Sequence, residues 1–290
     1  MKYSFIKKHR GRNFPVRFLC QVCKVSSSGY YDWLGRRESS RARENRALTV
    51  EIRALFEESD STYGAIRIYR ELKKQGRKCS KNRVARIMRR EGLVSVHKRK
   101  FRVCTTDSKH SLPVAQNIID QDFSTLAPNR KWGGDITYVR TDEGFLYFAI
   151  VLDFYSRKIV GRAGGDSLHA SLCCDALKMA LLRRNPPSEL IHHSDRGVQY
   201  ASAEYTDLLT QRKFTQSMSR KGNCYDNAMV ESFFHTLKVE RVNRKHYATR
   251  QEALDDITDF IENFYNIKRS HSSLDYVSPT EYETQYKLAA

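Results

Sequence analysis

The run FLYFAIVL at positions 145–152 is apolar almost throughout and ends at an aspartate. It is too short to cross a bilayer, and its length and composition are typical of a β-strand buried on both faces. The segment KWGGDITYVRT before it alternates like a second strand, and KIVGRA after it indicates a third strand beyond a tight turn. Three successive strands predict a sheet at the centre of a folded domain.

Helices and strands alternate after these three strands. The sequence predicts a helix at 168–184, a strand in LIHHSD, a helix at 201–213, a short strand in TQSMS and a last helix at 251–266. This order is typical of the α/β class, in which a mixed sheet carries helices on its faces. A basic tail that contains serines and histidines follows the last helix.

The first third of the chain shows helical periodicity instead. Residues 14–34 predict a helix, a turn and a second helix, and three further helical segments follow between 48 and 92. The outward face of the third segment carries the cations Lys81, Arg83, Arg86, Arg89 and Arg90. A helix that faces phosphates or a major groove needs such a face, although a solvated basic helix would show the same pattern.

These patterns divide the chain into four parts. We predict a helix-turn-helix-like segment at 1–40, a basic helical DNA-binding domain at 41–96, a linker at 97–128, and an α/β domain with a C-terminal helical tail at 129–285. The linker is predicted because periodicity is lost there and two prolines occur.

Charge is distributed unequally between these parts. Residues 1–110 hold 29 lysines and arginines against 10 aspartates and glutamates, a net charge of +19, whereas residues 111–290 hold 22 against 23. The formal charge of +18 therefore arises in the N-terminal part. Such a surface attracts polyanions through the release of condensed counterions, so double-stranded DNA is the expected partner.

The cysteines and the N-terminus indicate a cytoplasmic protein. The opening residues are charged throughout and lack an apolar core, so we expect neither a secretory signal nor a membrane association. Seven cysteines at irregular spacings indicate reduced thiols. Cys20 and Cys23 have the spacing of half a zinc site, but no second pair accompanies them, and both fit the apolar positions of a helix.

Three acids occupy positions that packing does not explain. Asp135 lies in the first strand, Asp195 follows the buried strand LIHHSD, and Glu231 lies in an amphipathic helix within NAMVESFFHTLK. An acid on an interior strand is costly unless a positive charge meets it. Divalent cations held by all three carboxylates would meet that need. Alternatively, each acid has a partner of its own, such as Arg140 or Arg196.

The spacing of these acids resembles a known signature. Thirty-five residues separate Asp195 from Glu231, and Lys238 follows the glutamate by two helical turns, as in the D…D(35)E pattern of DDE transposases and retroviral integrases. Further blocks resemble the second-reading-frame (OrfB) transposases of the insertion-sequence-three family. They are WGGDITYV, HHSDRGVQYAS, MSRKGNCYDNAMVESFFHTLK, FYNIKRSHSSLDYVSPTEYE, FPVRFLCQVCKVSSSGYYDW and YGAIRIYRELKKQG. The resemblance covers almost the whole chain.

This resemblance implies a fold and a reaction. The α/β domain would be an RNase H-like catalytic core that cleaves DNA at the ends of a bacterial insertion sequence and transfers the strands in a metal-dependent reaction. Asp135, Asp195 and Glu231 would be the catalytic residues and the ligands of two Mg²⁺ ions, with Mn²⁺ able to substitute. Lys238 would contact DNA near the cleaved end.

Other residues near the three acids would have supporting roles. Trp132 and Tyr138 flank the first aspartate, as in the family, and would be packing or base-stacking residues. At about 100° per residue, the polar stripe of the amphipathic helix holds Asn227, Glu231, His235 and Lys238. Asp226 would lie on the apolar stripe and is therefore expected to be the helix N-cap.

Two further residues have weaker interpretations. Asp153 ends a strand and is expected to accept hydrogen bonds in a turn. His271, in the tail, could contact a phosphate.

The resemblance also implies partners. The substrates would be the terminal inverted repeats and the target DNA, and the enzyme would act as a homo-oligomer at the bacterial nucleoid. The first-frame protein of the same element, often joined by a frameshift fusion, would recognise the ends. Two other interpretations stay open: a catalytically silent DNA-binding regulator of transposition, and a nuclease for RNA–DNA hybrids.

Overall fold

The protein is represented by a computed structural model that describes residues 1–11, 14–96 and 112–289. Within these residues, five strands form one sheet: β1 (Lys131–Thr141), β2 (Gly144–Asp153), β3 (Ile159–Gly165), β4 (Ile191–Ser194) and β5 (Thr215–Met218). Their order is β3-β2-β1-β4-β5. Neighbours from β3 to β1 are antiparallel, and neighbours from β1 to β5 are parallel. The predicted mixed sheet is confirmed.

Helices surround the sheet and form the N-terminal part. Those before the sheet are α1 (Lys2–His9), α2 (Val16–Val22), α3 (Ser27–Gly35), α4 (Ser40–Glu58), α5 (Ala65–Lys74) and α6 (Lys81–Arg90). Those within and after it are α7 (Ala170–Arg184), α8 (Val198–Ala201), α9 (Ala203–Gln211), α10 (Ala228–Glu240), α11 (Arg250–Asp259) and α12 (Pro279–Ala289). A π-helical turn, Phe260–Tyr265, continues α11. None of the helices in the described part of the chain is long and apolar enough to span a membrane.

The two faces of the sheet carry separate cores. Alternate residues of β2, such as Phe148 and Ile150, face the core formed with α10 and α11. The residues between them, such as Ala149 and Val151, face the core formed with α7 and α9. We call these the α10 face and the α7 face. Strand periodicity alone assigns a side to each residue, because successive side chains point in opposite directions.

The predicted linker joins the α/β domain earlier than its sequence suggests. Residues 97–111 lie outside the described residues, and 112–128 contain no helix or strand. The latter segment nevertheless runs beside β5, where Ile118 N donates to Ser217 Oγ at 2.9 Å and Met218 N donates to Gln116 O at 3.3 Å. Ile119 is buried in the core on the α10 face. The second half of the predicted linker therefore packs as part of the α/β domain.

The helical domain formed by α4–α6 docks on the C-terminal part of the α/β domain. Arg244 Nη1 lies 2.8 Å from Asp60 Oδ2, and Lys74 Nζ lies 3.2 Å from Glu281 Oε2. The ring of Phe264 contacts the cores of both domains. Polar contacts and shared packing thus set how the helical domain sits.

Two buried histidines lie in β4. His192 Nε2 is 3.0 Å from the hydroxyl of Tyr205, and its Nδ1 has no hydrogen-bond partner among the described residues. His193 contacts the hydroxyls of Ser217 and Ser219 at 2.9 and 3.2 Å. Burial lowers the pKa of His192 to about 3 and that of His193 to about 4. Both are therefore neutral in the folded protein at physiological pH.

Acid should destabilise this domain through His192. Below its ordinary pKa of about 6.5, the residue is protonated in the unfolded chain but not in the folded one. The free energy of unfolding should therefore decrease as the pH is lowered. One such histidine accounts for a loss of about 2 kcal/mol between pH 7 and pH 5. Urea denaturation at both pH values would show His192→Gln losing about 2 kcal/mol less than the wild type over this interval.

The exposed His169 of the same domain provides the matched control. His169→Gln should keep the wild-type pH dependence. Equal pH dependence in His192→Gln and the wild type would contradict the assignment of a neutral His192.

Candidate active site

The parallel pairing of β1 with β4 brings two of the three acids to one level of the sheet. Gly134 of β1 stands opposite Ser194, the last residue of β4. Asp135 directly follows Gly134 in the sequence and Asp195 directly follows Ser194, and neighbouring strands lie about 4.8 Å apart. The carboxyl end of β4 therefore places Asp195 beside Asp135.

Helix α10 passes over this point on one side of the sheet. A Cβ atom on Gly133 would lie 2.7 Å from Val230 Cγ2 of α10 and 2.4 Å from the ring of Phe154. Because side chains alternate along a strand, Asp135 faces the same side as Gly133. Glu231 follows Val230 directly, so the close approach at Gly133 brings the third acid towards the first. The missing side chain at Gly133 is what allows this approach.

The amphipathic pattern of α10 orients its functional residues. Val230, Phe233 and Leu237 are buried against the sheet, whereas Glu231 is exposed and Lys238 is half-buried. Lys238 Nζ lies 4.9 Å from the centroid of the Tyr138 ring. This distance is within the range of a cation–π interaction, which holds the ammonium group near β1.

The charges of the three acids act on one another. Burial raises the pKa of Asp135 well above its ordinary value; Asp195 and Glu231 raise it further, while Lys238 and a hydrogen bond from Ile136 N act in the opposite direction. Although Glu231 is exposed as a residue, partial desolvation of its carboxyl group, and then the charge of Asp195, raise its pKa. Burial lowers the pKa of Lys238, and Asp135 opposes that shift. The site thus concentrates negative charge that a positive charge would stabilise.

The donor set fits a hard divalent cation in its chemistry. Carboxylate oxygens are the ligands that Mg²⁺ prefers in proteins. Asp135 Oδ1 accepts a hydrogen bond from Ile136 N at 2.7 Å, and Asp195 Oδ1 accepts one from Gly197 N at 2.9 Å. In the described ranges, no three side chains of the ligating types are yet close enough together to enclose a metal ion. Asp135 lies within β1 and Asp195 directly follows β4, whereas Glu231 is supplied by α10.

The predicted supporting residues take different positions. Trp132 is fully buried on the α7 face, packs edge-on against Phe214, and donates from Nε1 to Asp153 Oδ2 at 3.3 Å. It is a packing residue and does not present its ring to DNA. Tyr138 is half-buried beside Lys238. Asn227 is buried, and its Oδ1 has no hydrogen-bond partner among the described residues.

The N-cap prediction for Asp226 is wrong. Asn227 occupies the N-cap position of α10, and Asp226 lies in a preceding 3₁₀ turn, Cys224–Asn227. The buried Asp226 carboxylate is paired with Arg220 at 2.8 Å and accepts from the amides of Asn117 and Gln121. The hydrogen bonds from Arg220 hold the pKa of Asp226 far below its ordinary value. Nothing in the local sequence shows that these amides come within reach.

The prediction for His271 is also wrong, whereas that for Asp153 is confirmed. His271 is buried against the ring of Tyr265, and burial, reinforced by the charge of Arg269, lowers its pKa to about 2. It cannot offer a positive charge to a phosphate. Asp153 accepts hydrogen bonds from Asn129 N at 2.8 Å and Tyr155 N at 2.9 Å, and so closes the turn after β2.

The five cations predicted to bind DNA differ in their surroundings. Arg83 is committed within its domain, since its guanidinium donates to Asn45 Oδ1 at 2.8 Å and pairs with Glu44 at 3.1 Å. The side chains of Lys81, Arg86 and Arg89 are exposed on α6 and form no ion pair with a described residue. Arg90 is exposed and lies 2.9 Å from Glu91. The free cations of this helix are therefore those at 81, 86 and 89.

Comparison with known proteins agrees with this architecture. Family profiles described as integrase core domain match residues 125–224 and 231–286, and one described as HTH-like domain matches residues 42–101. The chain is 43% identical over 287 residues to transposase InsF for insertion sequence IS3A of Escherichia coli K12, covering 98% of this chain and 99% of the relative. It is 44% identical over 272 residues to an uncharacterized 31 kDa protein of insertion element IS600 from Shigella sonnei, covering 94% of this chain and all of that one.

A solved structure of low sequence identity also resembles the chain. The catalytic core domain of HTLV-2 integrase in complex with magnesium is 15% identical, covers 55% of this chain and 99% of its own, and has a TM-score of 0.44.

The relatives match the chain along nearly its full length, and the family profiles cover both the helical domain and the sheet with its C-terminal helices. The fold is an RNase H-like core preceded by a helix-turn-helix-like region, and the substrate is DNA. The chain belongs to the IS3 family of bacterial insertion-sequence transposases, which are DDE-type polynucleotidyl transferases.

Proposed function

We propose that Asp135, Asp195 and Glu231 are the catalytic residues of this transposase and that they bind two divalent metal ions, Mg²⁺ or in its place Mn²⁺. The supporting observation is electrostatic. Asp195 and Glu231 both raise the pKa of the partly buried Asp135, and Lys238 is the cation that opposes them. A bound divalent cation would relieve this repulsion and keep all three carboxylates ionised.

The three acids would share the work unequally. Asp135 and Asp195 are held by the sheet, so their separation is fixed by strand pairing. Glu231 would complete the ligand set from α10. Bound metal ions would activate the attacking oxygen and stabilise the leaving oxygen of a phosphodiester.

Lys238 would bind the DNA near the cleaved end. Its ammonium group is on the same helix as Glu231 and is held over the ring of Tyr138. A phosphate close to the three carboxylates would be repelled by them, and a lysine at this position offsets part of that repulsion. Tyr138 would act as the support that aims the lysine.

The helical domain would hold the flanking duplex. Lys81, Arg86 and Arg89 project from α6 without intramolecular ion pairs among the described residues, which leaves their charges available for phosphates. Arg83 and Arg90 would contribute less, since part of their charge is already paired within the domain.

The natural substrate would be the pair of terminal inverted repeats together with a target duplex. Joining paired ends requires two active sites, so we propose a homo-oligomer assembled on DNA at the bacterial nucleoid. The first-frame protein of the element, supplied as a frameshift fusion, would recognise the ends.

Removing any one of the three carboxylates should abolish catalysis. Asp135→Asn, Asp195→Asn and Glu231→Gln each keep the shape of the side chain but lose a metal-binding charge. We expect cleavage and joining of a duplex that carries the terminal repeat to fall by at least about a thousandfold in Mg²⁺ or Mn²⁺. Binding of the same duplex, measured by fluorescence anisotropy, should be retained.

Asp166→Asn supplies the control, because Asp166 is an exposed acid of the same domain. It should react at the wild-type rate. Near-normal joining by any of the three carboxylate variants would show that the assignment is wrong, and absence of joining in the wild type would favour the regulator.

The exposed arginines of α6 should contribute to DNA affinity through charge. Replacing both Arg86 and Arg89 by alanine should weaken binding of unrelated duplexes as much as that of the terminal repeat. The slope of log Kd against log salt should fall by about 2, about one per lost phosphate contact. A titration over a series of KCl concentrations would measure both.

Arg77→Ala is the matched control, since Arg77 belongs to the same domain but its guanidinium is engaged by Glu51. Its slope should stay close to that of the wild type. A double variant with an unchanged salt slope would place the DNA on another face of the domain.

A further inference from the structure

We propose that Glu240, Arg269 and Tyr63 are positioning residues that fix the catalytic helix α10 to the DNA-binding domain. The inference rests on the proposed role of Glu231, since it concerns how that carboxylate is placed. It adds a physical connection from the helical domain to the metal site.

The first step of the connection is a buried ion pair at the end of α10. Glu240 is the last residue of the helix, and its two carboxylate oxygens accept from Nε and Nη2 of Arg269, both at 2.7 Å. Glu240 is 9% exposed and Arg269 is 5% exposed. A two-pronged pair of this kind fixes direction as well as distance, because both groups are planar.

The second step joins the segment around Arg269 to the helical domain. Tyr63 lies in the loop between α4 and α5 and is buried. Its hydroxyl donates to Lys268 O at 3.2 Å and accepts from Ser270 N at 2.7 Å. One side chain thus holds the backbone on both sides of Arg269.

A third contact reinforces the same connection. The guanidinium of Arg67 in α5 lies 5.4 Å from the centroid of the Tyr63 ring, and its Nη1 is 3.8 Å from Glu240 Oε1. The helical domain therefore reaches the end of α10 directly as well as through Arg269.

Packing of the apolar stripe is not enough to set the position of α10. Val230, Phe233 and Leu237 bury the helix against the sheet, but hydrophobic contact is non-directional and tolerates small shifts. Glu231 precedes Glu240 by nine residues, or about 14 Å along the helix axis. A small rotation or slide at the Glu240 end is carried along a rigid helix, so it changes the distance from Glu231 to the two aspartates.

This connection makes the DNA-binding domain part of the active-site geometry. The three carboxylates do not yet enclose a metal ion in the described residues. The helix that carries the third carboxylate is held by a segment that the helical domain contacts through Tyr63. Docking of that domain therefore sets the affinity of the three carboxylates for metal ions as well as the affinity of the protein for DNA.

The decisive variant is Tyr63→Phe in the full chain, because it keeps the ring and removes only the hydroxyl. We expect joining at saturating terminal-repeat DNA to slow by about tenfold, as expected when a reacting group is displaced by a fraction of an ångström. The Mn²⁺ concentration that gives half the maximal rate should rise several-fold. The Kd for the duplex should stay within about twofold of the wild-type value.

Two readouts do not depend on activity. Titration of Mn²⁺ followed by electron paramagnetic resonance should show weaker binding in Tyr63→Phe. Hydrogen exchange should be faster at the α10 amides but unchanged in β2. Tyr69→Phe is the matched control, since Tyr69 is in α5 of the same domain and its hydroxyl makes no hydrogen bond to a described residue; it should behave as the wild type.

A second variant guards against a general loss of stability. Arg269→Lys keeps the charge but loses the two-pronged geometry, and should shift the half-saturating Mn²⁺ concentration in the same direction as Tyr63→Phe. Glu240→Gln leaves Arg269 buried without its charge partner. This variant is therefore used only if circular dichroism shows that it keeps the wild-type fold.

Specific outcomes would overturn the proposal. The proposal would be overturned if Tyr63→Phe matched Tyr69→Phe in joining rate, Mn²⁺ binding and hydrogen exchange. It would also be overturned if the rate loss in Tyr63→Phe were fully explained by weaker DNA binding or by a smaller fraction of folded protein. Glu231→Gln run in parallel separates the two hypotheses. Retained joining there overturns the proposed function, whereas lost joining there with wild-type behaviour in Tyr63→Phe overturns the positioning role alone.

Discussion

The parallel pairing of β1 with β4 is the constraint on which the site depends. It aligns Gly134 with Ser194 and so makes Asp135 and Asp195 neighbours at the next level of the sheet. A slip of one residue would reverse which face each side chain occupies and would separate the two acids. The same register leaves room at Gly133 for α10, which could not approach β1 past a larger residue.

Placing these acids together costs free energy that the folded protein must carry. Two like charges about 4 Å apart repel by about 4 kcal/mol at the effective dielectric constant typical near a protein surface. Burial adds to this cost for Asp135, and the shift of its pKa records both effects. Such an arrangement weakens the fold unless a cation joins it, and strongly perturbed carboxylates are found clustered at functional sites. The apolar cores on the two faces of the sheet stabilise the domain and so offset this cost.

The sequence alone was sufficient where a pattern is local or periodic. Alternation predicted the strands, and the 3.6-residue period predicted α10 with Glu231 on its polar side. The D…D(35)E resemblance singled out acids that the fold then brings to one region. Periodicity reports which side of an element is buried, so it could locate these elements without knowing their neighbours.

Polar pairing between distant segments was beyond the sequence. The position of Asp226 on the apolar stripe suggested a helix cap, but its actual partners include amides more than 100 residues away in the chain, Asn117 and Gln121. The basic, polar tail around His271 suggested contact with a phosphate, yet that tail is buried around Arg269. Whether a charge is paired or solvated depends on tertiary contacts, and no local pattern encodes them.

The position of helix α10 depends both on a local pattern, its apolar stripe, and on polar contacts with distant segments. Its apolar stripe determines that it packs on the sheet, but two ion pairs determine where it lies. The buried Asp226 pairs with the half-exposed Arg220 just before the helix, and Glu240 and Arg269 form a pair that is buried on both sides at its end. Buried pairs add little net stability, because desolvation offsets the attraction, yet breaking one is costly. Their effect is to favour one placement over near alternatives. A helix that supplies the third acid needs that selectivity more than it needs additional stability.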